Sequence, residues 1–238
     1  MTTVLLLDDA APVSELLADE LRRRGGYDVI ALASVEALEA ADLPPLDIAL
    51  VDLSFPNSPK SGLDALLLLH RRSAQTRLVV LTQGDDWVAD LLRDAWEAVP
   101  LASVASKSGS IASLLALVAQ VERDGTAPLD PVLRPLLPEQ RSPLRSAEAY
   151  GRLVQHLGHA KLWRALIEED GEPTYRALSR ATGLSVNTVR NYREQLLGEL
   201  ALHGLDNPSM REMKVFARRC RPLLEPHLRA KLDRRGRS

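Results

Sequence analysis

Short apolar runs and longer helical stripes take turns along the first half of the chain. TVLLL (3–7) is a continuous apolar run of the kind expected of a strand buried on both faces. Pro12 follows where a first helical turn tolerates it, Val13, Leu16, Leu17 and Leu21 recur at helical spacing, and Gly25-Gly26 close the helix. The alternation then repeats. DVIAL (28–32) predicts a strand and SVEALEAA a short helix; DIALVD (47–52) predicts a strand and LDALLLLHRR (63–72) a helix. RLVVLT (77–82) predicts a fourth strand with DDWVADLLRDAW as its helix, and LASVAS (101–106) a weaker fifth before the helix SIASLLALVAQVE (110–122). Five such units in roughly 120 residues predict an α/β domain, a parallel sheet with helices on both faces.

The pattern changes after residue 123. DGTAPLDPVLRPLLPEQRSP (124–143) spreads five prolines among polar residues, which predicts a linker over 124–150 with at most short helical turns. Leu129, Val132, Leu133, Leu136 and Leu137 give that linker a surface that can dock on a neighbouring domain. Helical spacing returns with Leu153, Leu157, Leu162, Trp163, Leu166 and Ile167, interrupted by Gly158. Thr174 is placed to cap YRALSRAT, Gly183 to end it, and Ser185 to cap VNTVRNYREQLLGEL. A short helix, a glycine turn and a longer helix make a helix-turn-helix within an all-α domain over 151–228. One further helix, SMREMKVFARRCRPLLEPHL (209–228), is the expected place for dimer contacts, and residues 229–238 form a basic tail.

At 238 residues the chain can hold two modest domains, each with its own core. The net charge of -2 hides an asymmetry: residues 1–138 carry 11 Lys/Arg against 20 Asp/Glu, and residues 139–238 carry 19 against 12. A polyanion is therefore a natural partner for the second half. A single cysteine, Cys220, excludes an intrachain disulfide. Apolar runs such as ALLLL (65–69) are too short to cross a bilayer, and no basic-then-apolar leader opens the chain, so a cytoplasmic protein without membrane association is expected.

In open α/β sheets ligands collect at the carboxyl ends of the strands. Those ends here bear Asp8 and Asp9, Asp52, Thr82 and Lys107. Three clustered carboxylates repel one another unless a cation joins them, and an all-oxygen site of this kind suits Mg²⁺. A metal there shields Asp52 from an approaching phosphoryl group, Thr82 can donate to a phosphoryl oxygen, and Lys107 brings a mobile positive charge. In the longer helix of the second domain, about 100° per residue gathers Val189, Tyr192, Leu196 and Leu200 on a core side and Asn187, Arg190, Asn191 and Glu194 opposite. Arg and Asn make paired hydrogen bonds to guanine and adenine edges in a major groove; Thr188 and Arg193 flank them within reach of phosphates.

Residues 1–123 resemble the receiver domain of bacterial two-component response regulators through Asp8-Asp9, Asp52 with Pro56 four positions on, Thr82 and Lys107. GLSVNTVRNYREQLLGEL resembles the end of the NarL/LuxR-type helix-turn-helix, in which Ser-x-x-Thr-Val opens the recognition helix. The resemblance implies a flavodoxin-like strand order and phosphorylation of Asp52 by a sensor histidine kinase. It further implies Mg²⁺ held by Asp9, Asp52 and the backbone carbonyl of Ser54, with Asp8 acting through water. As a dimer the protein would bind double-stranded DNA through Ser185, Asn187, Thr188, Arg190, Asn191, Arg193 and Glu194. Three positions depart from the receiver pattern: NSPKSG before Gly62 looks like an insertion beside the site, Val104 stands where an aromatic reporter is common, and Ser108 where proline is common.

Two other functions are compatible with parts of this pattern. One is a receiver-HTH transcription factor whose dimerisation and DNA binding do not depend on phosphorylation, which Val104 favours. The other is a Mg²⁺-dependent phosphatase with an aspartyl nucleophile; it wants a carboxylate two residues beyond the nucleophile on the first strand, where Ala10 and Ala11 stand, and a substrate cap for which no segment exists. A non-enzymatic regulator is the expectation.

Overall fold

The computed structural model describes residues 1–84, 86–139 and 143–233, and it divides into two compact units, 1–141 and 142–238. In the first unit β1 (Thr3–Leu7), β2 (Asp28–Leu32), β3 (Ile48–Asp52), β4 (Arg77–Thr82) and β5 (Leu101–Ser106) pair in parallel in the order β2-β1-β3-β4-β5. This is the flavodoxin-like order. All five predicted strands form, and the inner ones have their apolar runs covered on both faces: Ile48 to Asp52 are buried throughout, as are Val4 to Leu7, whereas only Val29 is buried in the edge strand β2.

Alternation along the strands divides that apolar set between two layers. Val4, Leu6, Ile48, Leu50, Val79 and Leu81 pack against Leu17 and Ala18 of α1 (Ala11–Glu20) and Val118 and Val121 of α5 (Ile111–Asp124). The opposite face is covered by α2 (Val35–Ala40), α3 (Gly62–Arg72) and α4 (Asp86–Ala98), which lie side by side and bury Leu38, Leu66 and Leu91. The helix after β1 ends at Gly26, as the glycine pair predicts, but its last turn, Leu21–Gly25, widens to a π-helix before the φ of +68° at Gly26.

The stretch expected to be a linker over 124–150 is divided between the two units. Residues 127–137 lie on the first unit, with Leu133 and Leu137 buried and a single 3-10 turn at Arg134–Leu136. Pro143 then starts a ten-residue helix, α6 (Pro143–Arg152), whose Tyr150 belongs to the second unit's core. Proline breaks helical periodicity, yet it is accommodated in a first helical turn, and buried leucines decided where the rest of the stretch lies.

The second unit continues with α7 (Leu157–Glu168), α8 (Tyr175–Thr182), α9 (Val186–Leu202), α10 (Met210–Arg219) and α11 (Arg221–Leu232) around Trp163, Leu178, Val189, Leu196, Phe216 and Leu228. The helix expected over 209–228 is two helices, broken at Cys220 ahead of Pro222. Within this stretch, the expected place for dimer contacts, Met213, Phe216, Ala217, Leu224 and Leu228 are buried in the unit's core. The basic tail starts as helix, since α11 runs to Leu232, and residues 234–238 lie outside the described residues. Among the described residues no helix is long and apolar enough to cross a membrane.

Candidate functional site

The strands end in register. Leu7 pairs with Val51, Asp52 with Leu81 and Thr82 with Ser106, so the residues that follow emerge along one rim. β1 and β3 are neighbours in the sheet, and strand order reverses beside β1, which puts Asp8, Asp9 and Asp52 at the crevice where such sheets bind ligands.

Asp8, Asp52 and Thr82 are buried and Asp9 half-buried. Asp8 Oδ1 accepts from the Ala10 N–H at 2.9 Å, and Asp52 Oδ1 from the Ser54 N–H at 3.2 Å. Their other oxygens share the Lys107 ammonium, which lies 2.7 Å from Asp8 and 2.8 Å from Asp52. Burial pushes the Asp52 carboxyl above the usual carboxylate range, and the Lys107 ammonium draws it only part of the way back. Burial alone would lower the Lys107 ammonium; hydrogen bonds to Asp52 and Asp8 outweigh it and hold the group above its ordinary value, firmly charged. One oxygen from each of Asp8, Asp9 and Asp52 lies within 4.8 Å of the other two, a spacing that fits an oxygen-liganded cation. Three carboxylates against one ammonium leave that group short of positive charge.

Gly62 fixes the backbone under Asp52. A Cβ there would stand 2.0 Å from the Asp52 carbonyl oxygen and 2.6 Å from Leu53 Cα, and the Gly62 N–H donates to the Leu53 carbonyl at 3.1 Å. The preceding NSPKSG loop is tied to α2: Ser58 Oγ donates to Glu36 at 2.9 Å, and Lys60 pairs with Glu39. Thr82 Oγ1 accepts from the Gly84 N–H at 3.2 Å, and its carbonyl accepts from the Lys107 N–H at 2.8 Å. Val104 is fully buried in β5.

In the second unit Ser185 caps α9, accepting from the Thr188 N–H at 3.0 Å, and the two hydroxyls meet at 2.8 Å. Val189, Leu196 and Leu200 face the core, whereas Asn187, Arg190, Asn191 and Glu194 are exposed. Arg193 is engaged within the unit: its Nε donates to the Pro208 carbonyl at 2.9 Å and its Nη2 to Asn207 Oδ1 at 2.7 Å. That guanidinium clamps the turn into α10, where Asn207 holds a φ of +44°.

Three features escaped the sequence pattern. The Tyr175 ring, half-buried in the core margin, lies under the Arg190 guanidinium at 5.4 Å; an aromatic in the first turn after Thr174 was its only signal. Tyr192 packs on His156 and His159, and Gly158 leaves room for it, since a Cβ there would meet the ring at 2.4 Å. His156 is the cap of α7: its Nδ1 accepts from the Gly158 and His159 N–H groups at 3.1 and 3.3 Å, which explains the interruption of helical spacing.

No protein-family model matches the chain, and no curated protein matches it. Among solved structures the chain is similar to the response regulator RcsB of Salmonella typhimurium, at 14% identity over 91% of this chain and 100% of that one, with a TM-score of 0.45. RcsB bound to promoter DNA with a phosphomimetic shares 17% identity over 84% of this chain and 92% of that one, at a TM-score of 0.44. The Thermotoga maritima response regulator TrrA, solved with Mg²⁺ and a beryllofluoride, shares 24% over 51% of this chain and 99% of that one, at 0.42.

Proposed function

We propose that this chain is a phosphorylation-controlled, DNA-binding transcriptional regulator. The observation that carries it is the acidic rim: a buried Asp52 carboxylate at a strand end, with Asp8, Asp9 and Lys107 gathered around it. In this assignment an Asp52 carboxylate oxygen forms a bond to phosphorus as the bond from phosphorus to a sensor kinase's imidazole nitrogen breaks. Asp8, Asp9, Asp52 and the Ser54 carbonyl would hold Mg²⁺, which supplies neutralisation of phosphoryl charge. Thr82 donates to one phosphoryl oxygen and Lys107 moves to another. Gly62 and the pinned loop before it keep the nucleophile's backbone in place.

The output is double-stranded DNA, bound in the cytoplasm by a homodimer. Asn187, Arg190, Asn191 and Glu194 form the exposed stripe of a capped helix, with Ser185 and Thr188 at its N-terminus near the backbone phosphates. Incubation with Mg²⁺ and a small phosphodonor should label the wild-type chain and leave Asp52→Asn unlabelled; equal labelling of both sinks the assignment of the site.

A second function, DNA binding independent of phosphorylation, is favoured by one observation, the buried Val104 in place of a mobile aromatic. It requires the same operator affinity with and without phosphodonor.

A further inference from the structure

Residues 127–137 run back along the free edge of β5. The Ala127 N–H donates to the Ala102 carbonyl at 3.0 Å and the Asp130 N–H to the Val104 carbonyl at 2.9 Å, while the buried Ser103 hydroxyl donates to the Pro128 carbonyl at 2.9 Å. Asp130 then turns the chain. Its carboxylate accepts from the Ser106 N–H at 3.2 Å and the Val132 N–H at 2.9 Å, and its carbonyl accepts from Leu133 and Arg134. Leu133 is fully buried, and a Cβ built on Gly84 would come within 2.8 Å of its Cδ2.

Two anchors of this strap, Leu133 and Asp130, lie beside the residues that adjoin Thr82 and Lys107 of the acidic rim. Gly84, under Leu133, donates its N–H to the Thr82 hydroxyl; Ser106, held by Asp130, precedes Lys107. Thus the strap grips the two loops that carry the hydroxyl and the ammonium. Six residues beyond Leu137 the chain enters α6 of the second unit.

The geometry points to Asp130 and Leu133 as positioning residues that hold the Thr82 and Lys107 loops in their phosphoryl-free arrangement, so that phosphorylation of Asp52 loosens the strap. The inference rests on the phosphoryl-switch function proposed above and names the element that reads it. A phosphoryl group on Asp52 recruits the Thr82 hydroxyl as donor and draws Lys107 off the Asp52 carboxylate. Both loops then shift under the strap. A shift of Thr82 reaches Gly84 through the N–H that Gly84 donates to the Thr82 hydroxyl. Leu133 cannot absorb that shift, because in a packed interior a gap of even half an ångström forfeits a large part of the contact energy. The Val104 side chain is no reporter, but its carbonyl is bonded to the strap. Coupling is reciprocal: if phosphorylation loosens the strap, a weakened strap favours the phosphorylated arrangement by the same factor.

Amide hydrogen–deuterium exchange on the full chain tests this, with Mg²⁺ alone and with Mg²⁺ plus beryllofluoride as the phosphoryl mimic. The Ala127, Asp130 and Leu133 amides should exchange at least about fivefold faster with beryllofluoride, and Asp52→Asn should show no change. Leu133→Ala should bind beryllofluoride more tightly by a similar factor, about fivefold, and Leu133→Met should behave as wild type. If the wild-type chain takes up no more beryllofluoride than Asp52→Asn, the phosphoryl function fails and the strap's role with it. If it binds and the strap amides exchange no faster, the strap's role alone is overturned, whether or not Leu133→Ala folds.

Discussion

Lys107 holds the acidic rim together in the absence of a cation. It is the shared partner of two buried carboxylates, and breaking a buried pair of this kind leaves charge without compensation. Lys107→Met should destabilise the first unit by roughly 3 kcal/mol, and Mg²⁺ should restore part of that loss by taking over the neutralisation. Denaturant titrations with and without Mg²⁺ check both statements; a variant as stable as wild type, or indifferent to Mg²⁺, contradicts them. Gly62 sets a different limit. Any side chain at 62 meets backbone rather than a movable side chain, so Gly62→Ala should cost about 2 kcal/mol or more and lower phosphodonor labelling through displacement of Asp52. His159 carries a third residue-scale consequence. Burial, aided by the charge of His156, lowers its imidazole to about 4, and Nε2 donates to Gln195 Oε1 while the buried Nδ1 has no partner among the described residues. Between pH 6.5 and 4 the unfolded chain takes up a proton that the folded unit refuses. Stability is therefore lost as pH falls through that window, by up to about 3 kcal/mol, and is intact above it. Thermal melts at pH 7.5 and 5 measure this, and His159→Leu should flatten the dependence.

At the scale of elements, α9 presents its exposed stripe because its other face is committed to Val189, Leu196 and Leu200 and because Ser185 starts it at a defined residue. Arg190 differs from its neighbours in resting on the Tyr175 ring, which restricts a side chain that otherwise loses much rotamer freedom on binding. Arg190→Ala should weaken binding to the preferred operator roughly tenfold or more and relax selectivity at one base pair, with nonspecific DNA affinity changed far less. Competition binding with single-base operator variants separates these effects; a uniform loss across all sequences would make Arg190 a phosphate contact instead. Arg193, for its part, belongs to the architecture of the turn before α10. Its removal should lower the stability of the second unit before it alters base preference.

Across the whole molecule the two units have separate cores, and their charges are opposed, acidic in the first half and basic in the second. DNA affinity of the chain should therefore fall steeply with salt, because neutralised phosphates release counterions. Under the proposed function, phosphorylation should move affinity without moving that slope, since Asp52 belongs to the first unit and the exposed stripe of α9 to the second. Binding isotherms between low and physiological salt, with and without phosphodonor, show which parameter responds.

The strand–helix alternation, the acidic strand ends and the capped helix after Gly183 were legible in the sequence, because local periodicity and strand-end chemistry are short-range properties. Strand bounds at 3–7, 77–82 and 101–106 follow from apolar runs that only a doubly covered sheet can bury. Other features depend on partners distant in the chain. That Lys107 bridges Asp8 and Asp52, that Gly62 lies against the Asp52 carbonyl, and that Arg193 clamps residues 207 and 208 are outcomes of folding contacts with no local signature. The stretch after residue 123 makes the same point: its prolines and leucines leave a free and a docked linker equally open, and only the sheet's open edge and the space beside Gly84 decide for a strap. Sequence by itself determined which residues can be strand, helix and charged rim, since those follow from each residue's neighbours; tertiary structure alone decided which charges are shared and which loops are held, since burial brings together groups as far apart in the chain as Asp8 and Lys107.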